Sequence, residues 1–260
     1  MKSCTDSVLF FTDNPDWVWK KYGSDCCILL YLTEANREKW WKGISYAVLS
    51  VRGLETDFLE RVYRRHIGAP WDILETERLL IREMTECDLD DLYRIHDQPG
   101  IEGFVAPLED NREIQLEILR SYIQKVYPIF GFGMWMMVEK TSGRCVGRVG
   151  LQMENSICIS KKESDEDREP VPELGFIVET SAQRKGYCME ACRAVLEYGF
   201  EELGMEKIRA VVTELNTASA NLCARLGGSV QKRDGQVLFY WSTMDAVQDP
   251  SVIRDSGTIL

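Results

Sequence analysis

The residues best suited to chemistry lie between Glu173 and Gly204. Glu173-Leu174-Gly175-Phe176-Ile177-Val178 has the content of a buried strand, and Met189 to Leu203 that of a helix closed by Gly204. Between them, Ser181-Ala182-Gln183-Arg184-Lys185-Gly186-Tyr187-Cys188 reads as a loop with glycine at a tight position. A strand, a turn rich in amide donors and a helix start form an anion site. The first N–H groups of a helix lack partners and carry about half a positive charge. The pattern predicts a phosphate-bearing ligand there, although an ordinary strand-to-helix connection has the same outline.

The totals bound what can surround this stretch. With 260 residues, 45% hydrophobic and 28% charged, the chain can bury a substantial core. A formal charge of −11 argues against nucleic acid as a partner, because such binding requires Lys and Arg to neutralise phosphates. An anionic cofactor can still bind at a local positive site such as Arg184, Lys185 and the helix start. The nine cysteines include no Cys-x-x-Cys pair, so neither a zinc ribbon nor a disulfide framework is expected, and no metal. Cys188 and Cys192 fall on one helix face as small buried side chains. With only two histidines, a His-based nucleophile relay is not expected. No signal-peptide core follows Met1-Lys2, and the longest apolar run, Cys26 to Leu32, is too short for a bilayer. A cytoplasmic protein with no membrane partner is the expectation.

The elements that must position the site follow from periodicity. Residues 1–70 predict a small β-α-β-α-β-α unit: strands at Val8–Phe11, Cys26–Thr33 and Ile44–Val51, helices at Asp16–Tyr22, Glu34–Trp41 and Glu55–His66. This unit lacks a Gly-x-Gly-x-x-Gly turn and an Asp-x-Asp strand end, and is assigned a structural or regulatory role. Gly68-Ala69-Pro70 marks a boundary. A strand follows at Leu74–Glu83, then a helix Glu86–His96 with Thr85 as N-cap and Asp88, Asp90 and Asp91 near its positive end. Asn111–Val126 reads as a second helix, and Met134–Glu139 with Cys145–Met153 as a hairpin. Lys161–Pro170 is a charged, solvated stretch. Downstream come a strand at Lys207–Thr213, a helix at Thr217–Leu226 and a hairpin turning at Arg233-Asp234-Gly235. The divisions are therefore 1–70, 71–245 and a polar tail, 246–260. The fold class is α/β (α+β): a mixed sheet flanked by helices, preceded by the small unit.

Four segments in this order resemble the GCN5-related N-acetyltransferase (GNAT) superfamily, most closely its ribosomal-protein-alanine acetyltransferase-like branch. They are Glu75–Arg82, Gly143–Gly150, Glu173–Ala191 and Asn216–Leu222 closed by Leu226-Gly227-Gly228. The resemblance implies acetyl-CoA as acetyl donor and a primary amine, on a protein N-terminus or a small molecule, as acceptor. It implies that the strand at Leu174–Val178 splays from that at Lys207–Thr213. Pantetheine would lie in the wedge against Phe176, Ile177 and Val178, and the pyrophosphate on Gln183, Arg184, Lys185, Gly186, Tyr187 and Cys188. Asn216 matches a residue that hydrogen-bonds the pantetheine arm. Cys188 departs from the family's Gly or Ala, and Cys223 stands where many relatives carry the Tyr that serves the leaving thiolate; Ser219 is the substitute candidate. Glu173 and Glu214 are candidate proton acceptors, Glu173 the preferred one. Both carboxylates equally suit solvated strand ends. A non-catalytic acyl-CoA-binding or sensor protein is the alternative, and the assembly allowed for is a homodimer.

Overall fold

The computed structural model describes residues 8–39, 41, 43–101, 103–153, 171–233 and 235–243. The charged stretch 161–170 and the tail 246–260 lie outside the described residues. The first elements are β1 (Leu9–Thr12), α1 (Pro15–Tyr22), β2 (Cys27–Tyr31), β3 (Tyr46–Val48) and α2 (Thr56–His66). Their strands form a parallel sheet in the order β1-β2-β3. The apolar residues of β2 are buried, as a central parallel strand requires. The helix expected at Glu34–Trp41 is instead a series of turns. Asn36 explains the change: its buried amide accepts from Thr33 N–H at 2.7 Å and donates to Asp13 and Tyr31 carbonyls at 2.8 and 2.9 Å. A side chain that satisfies backbone in this way favours turn over helix.

The larger sheet comprises β4 (Asp72–Glu75), β5 (Leu79–Arg82), β6 (Met134–Glu139), β7 (Cys145–Gln152), β8 (Glu173–Val178), β9 (Lys207–Thr213), β10 (Ser229–Arg233) and β11 (Gln236–Ser242). Its order is β10-β11-β9-β8-β7-β6-β5-β4. Every neighbouring pair is antiparallel except β8 and β9. The single strand expected at Leu74–Glu83 is a hairpin. Thr76 folds the chain back, its N–H donating to Leu79 C=O at 2.8 Å and its Oγ1 accepting from Leu79 N–H at 3.0 Å.

Four helices flank this sheet: α3 (Leu89–His96), α4 (Arg112–Phe130), α5 (Tyr187–Glu201) and α6 (Thr217–Arg225). Thr85, the expected N-cap, forms a capping box with Asp88 and starts a short 3-10 turn that runs into α3. Asn111 caps α4, which continues to Phe130, beyond the expected end at Val126, until Gly131 at φ +75° closes it. The core contains Trp135, Tyr127, Leu79, Ile81, Leu92, Ile95 and Leu151, all fully enclosed. α5 lies on the face of the sheet that carries Leu151: a β-carbon at Gly199 would sit 3.1 Å from Leu151 Cδ1. Among the described residues, no helix is long and apolar enough to cross a membrane.

The two sheets are joined through α2 and β5. Arg65 grips Glu83 with both ends of its guanidinium, the Nε contacts measuring 2.9 and 3.0 Å, and donates to Tyr46 Oη at 2.6 Å. Arg65 and Glu83 are buried, at 7% and 2% side-chain exposure. Arg64 donates to Pro70 C=O at 2.8 Å, and Arg61 stacks over the Trp71 ring.

Candidate functional site

β8 and β9 start as neighbours and then part. Their register contains one pair, Glu173 with Arg209, and the Arg209 N–H donates to Pro172 C=O at 2.9 Å. Beyond that pair β8 has no strand partner on this side among the described residues, although it continues for five residues against β7. Strand backbone alternates its hydrogen-bonding direction every residue. Glu179 N–H donates to Val146 C=O at 2.9 Å, which turns Ile177 and Gly175 toward β7 and leaves Phe176 and Val178 facing the opened side. Ile177 therefore reaches the opening through its side chain, whereas Phe176 and Val178 present main-chain groups to it. Val178 C=O accepts from Gln183 Nε2 at 3.3 Å, which ties the loop to the strand end.

The loop after β8 is held from beneath. Glu179 is 1% exposed and accepts from Arg94, from Arg144 at 2.9 Å and from Ser181 Oγ at 2.5 Å. Gln183 N–H is used inside the loop by Thr180 C=O. Arg184 then adopts φ +61° and Gly186 φ +84°, two left-handed residues around Lys185. Alternating handedness turns successive N–H groups to one side, a nest for an anion. Gly186 is the N-cap of α5, so Tyr187 and Cys188 belong to its first turn and not to the loop as expected. No side chain caps this N-terminus. Arg184, Lys185 and Gly186 are exposed.

A clamp fixes the start of α5 to the β4–β5 turn. The Glu190 carboxylate accepts from Thr76 Oγ1 at 2.5 Å, Arg78 N–H at 2.9 Å and Arg78 Nε at 2.7 Å. Burial works to raise the Glu190 pKa, but these hydrogen bonds outweigh it and hold it below the usual carboxylate value. Arg78 also donates to Lys185 C=O at 2.8 Å and lies 4.5 Å over the Tyr187 ring. Tyr187 Oη in turn donates to Glu139. Thr76, Arg78 and Glu190 were not singled out from sequence as site residues. Glu190 is 112 residues from Arg78, and no local pattern links them.

The remaining candidates surround the opening. Asn216 caps α6, its Oδ1 accepting from Ser219 N–H at 3.1 Å. Ser219 is half-buried one turn into that helix. Cys223 is buried; burial, with Cys188 nearby, pushes its thiol up to about 12. Such a thiol stays protonated and is a poor nucleophile. Glu173 stands at the closed end of the wedge, with Arg209 Nη2 3.4 Å from its carboxylate. Glu214 follows β9 and is exposed. Asp88 and Asp91, with Cys145 between them, form an acidic group already faced by guanidinium ions: Arg82 spans Asp88 at 2.7 and 2.8 Å, and Arg94 meets Asp91 at 2.6 Å.

These features fit a CoA thioester. A strand with an unpaired edge offers main-chain partners to an extended amide arm, and the uncapped α5 start with its nest offers donors to a pyrophosphate. Comparison with known proteins points to one family. The family model described as an acetyltransferase (GNAT) domain matches residues 78–229. The chain is 26% identical over 158 residues to the uncharacterized protein YkkB of Bacillus subtilis, covering 59% of this chain and 83% of that protein. It is 25% identical over 158 residues to the uncharacterized N-acetyltransferase YoaA of the same organism, covering 60% and 81%. Among solved structures, it resembles a ribosomal-protein-S5-alanine acetyltransferase from Vibrio fischeri, with a TM-score of 0.52 over 66% of this chain and 97% of that one. At 15% identity this likeness concerns the fold alone.

Proposed function

The chain belongs to the acetyltransferase (GNAT) domain family, and from that premise we propose that it is an acetyl-CoA-dependent N-acetyltransferase acting on a primary amine. The observation that carries the proposal is the parting of β8 from β9 immediately after Glu173–Arg209, with the uncapped start of α5 following the same strand. Phe176 and Val178 hold the pantetheine arm through main-chain groups, and Asn216 adds its amide from the α6 side. The amides from Arg184 to Cys188 hold the pyrophosphate, with Arg78 and Glu190 keeping the loop in place. Bound acetyl-CoA supplies an activated acyl carbon and a thiolate leaving group.

The protein's own groups then have three tasks. Val178 N–H, facing the opened side, is the donor to the acyl oxygen. Ser219 is the hydroxyl near the departing sulfur. Glu173 is the proton acceptor. It shares a sheet face with Ile177, four residues or about 13 Å along the strand, so a proton reaches it through water. The buried, protonated thiols favour direct transfer to the amine over a covalent acetyl-enzyme. Residues 1–70 serve as a separate unit that braces β5 through Arg65 and Glu83.

Cys223 favours a second reading, a non-catalytic acyl-CoA-binding protein, because a buried thiol replaces the hydroxyl that the leaving group would use. Thiol release from acetyl-CoA, followed with a colorimetric thiol reagent over a broad amine panel, tests the two. Amine-dependent release supports the transferase. Tight CoA binding with no release for any amine supports the binding protein.

A further inference from the structure

Arg148 lies one strand from the proposed cofactor strand and has no anionic partner among the described residues. It stands on β7 directly opposite Ile177 of β8 and Met136 of β6, and Met136 is opposite Arg82 of β5. Cross-strand partners share a face, so these four side chains form one row across the sheet. That face is opposite to α5, because Leu151, which α5 covers, differs from Arg148 by an odd number of residues along an unbroken strand. It is also the face that carries Glu173.

Within the row, Arg82 spans Asp88, whereas Arg148 has only a thioether: Nη1 is 3.9 Å from Met84 Sδ. Its Nε is buried without a hydrogen-bond partner. Burial holds the Arg148 pKa below the ordinary guanidinium value, yet the residue keeps some contact with solvent. Its neighbours are short of acceptors as well. Neither ring nitrogen of the buried His96 makes a well-formed hydrogen bond, its one near polar neighbour being the Ala106 backbone. Tyr127 Oη is occupied, donating to Met134 C=O at 2.6 Å and accepting from Met84 N–H at 3.0 Å. Tyr122 Oη accepts from Met134 N–H at 2.7 Å, so its one fixed bond uses a lone pair and not its proton. A buried donor left without an acceptor is costly, and a guanidinium most of all, so orphaned donors beside an opening point to an anionic ligand.

We propose that Arg148, supported by His96 and Tyr122, binds a carboxylate of the acceptor, and that the amine acetylated is of the amino-acid class. This rests on the transferase reading above. The pyrophosphate of CoA is not the anion in question, since its loop follows β8 at the start of α5, on the other face. The Cα atoms of an antiparallel pair such as Arg148 and Ile177 lie about 5.5 Å apart, so a carboxylate held by the Arg148 side chain lies on the sheet face where Ile177 borders the opening. A guanidinium meets a carboxylate through two parallel hydrogen bonds, which lysine cannot reproduce.

The test compares each of several amino acids with its carboxamide as acceptor, in wild type, Arg148→Gln and Arg148→Lys. Wild type is expected to favour the acids in kcat/KM by on the order of 10- to 100-fold. Arg148→Gln should remove that preference by raising KM for the acids far more than for the amides, and Arg148→Lys should restore part of it. Equal use of acids and amides by wild type overturns the proposal, and so does an equal loss for both in Arg148→Gln. If neither variant folds, the wild-type acid-to-amide ratio decides alone. If wild type acetylates no amine, the transferase reading fails on its own. The site is then judged by thermal shift with N-acetylglycine and N-acetylglycinamide on the CoA-loaded protein: stabilisation by the acid alone supports it, and none or an equal shift overturns it.

Discussion

Replacing Gly186 separates a built pyrophosphate site from an ordinary strand-to-helix turn. The residue is held at φ +84°, and a β-carbon there would lie 3.2 Å from Arg78 Nη2. An L-residue in this conformation costs roughly 1–2 kcal/mol. In Gly186→Ala that strain falls on the fold if the loop keeps its shape, and on binding if the free loop relaxes. The first outcome lowers the melting temperature by about 2–4 °C per kcal/mol, and the second weakens CoA binding by roughly 5- to 30-fold. Gly186→Glu adds a carboxylate where the pyrophosphate is placed. Unit charges about 5 Å apart at an effective dielectric of about 20 repel by roughly 3 kcal/mol. The predicted loss of CoA affinity is therefore more than about a hundredfold, read by calorimetry beside melting curves of the free proteins. A Gly186→Glu protein that folds and binds CoA as tightly as wild type refutes the reasoning.

Three further outcomes follow from the geometry. Glu190→Gln weakens the clamp on Arg78, so CoA affinity should fall about tenfold and amide exchange across 183–188 should speed up; unchanged exchange would show that the clamp does not order the loop. Glu83→Gln leaves the buried Arg65 without its counter-ion and should cost about 3–5 kcal/mol, on the order of 10 °C in melting temperature; calorimetry reading under about 1 kcal/mol would remove the ion pair as the brace between the sheets. Burial first, then Arg148, lowers the His96 pKa from 6.5 to about 4, against a smaller opposing effect of the Ala106 backbone. The unfolded chain then takes up the proton first, so this contribution is complete above about pH 6.5 and is lost as pH falls through 4, by about 3 kcal/mol at most. Urea titrations across that window should show a decline that His96→Gln flattens.

What the sequence reveals depends on how local each feature is. The strand, turn and helix around Gly186 are legible because one glycine and two apolar periods define them, and the bounds of β8 and β9 match their expected spans. The hairpin at Thr76 is hidden in the sequence because its apolar run is nearly continuous and the turn is made by a threonine side chain. The middle helix of residues 1–70 fails because Asn36 spends its amide on backbone brought together by the sheet. The least legible parts join distant residues. The Arg78–Glu190 clamp, the Arg65–Glu83 pair and the placement of Arg148 opposite Ile177 exist only once strand order is set. The parting of β8 from β9 has no local signature in either strand, and only the family resemblance anticipated it.

A crystal structure with CoA bound tests the central claim most directly. The account predicts the pantetheine arm between β8 and β9, paired with main-chain groups of Phe176 and Val178, and the pyrophosphate over the amides from Arg184 to Cys188. CoA bound elsewhere, or β8 and β9 paired along their length beyond Glu173 and Arg209, would contradict it.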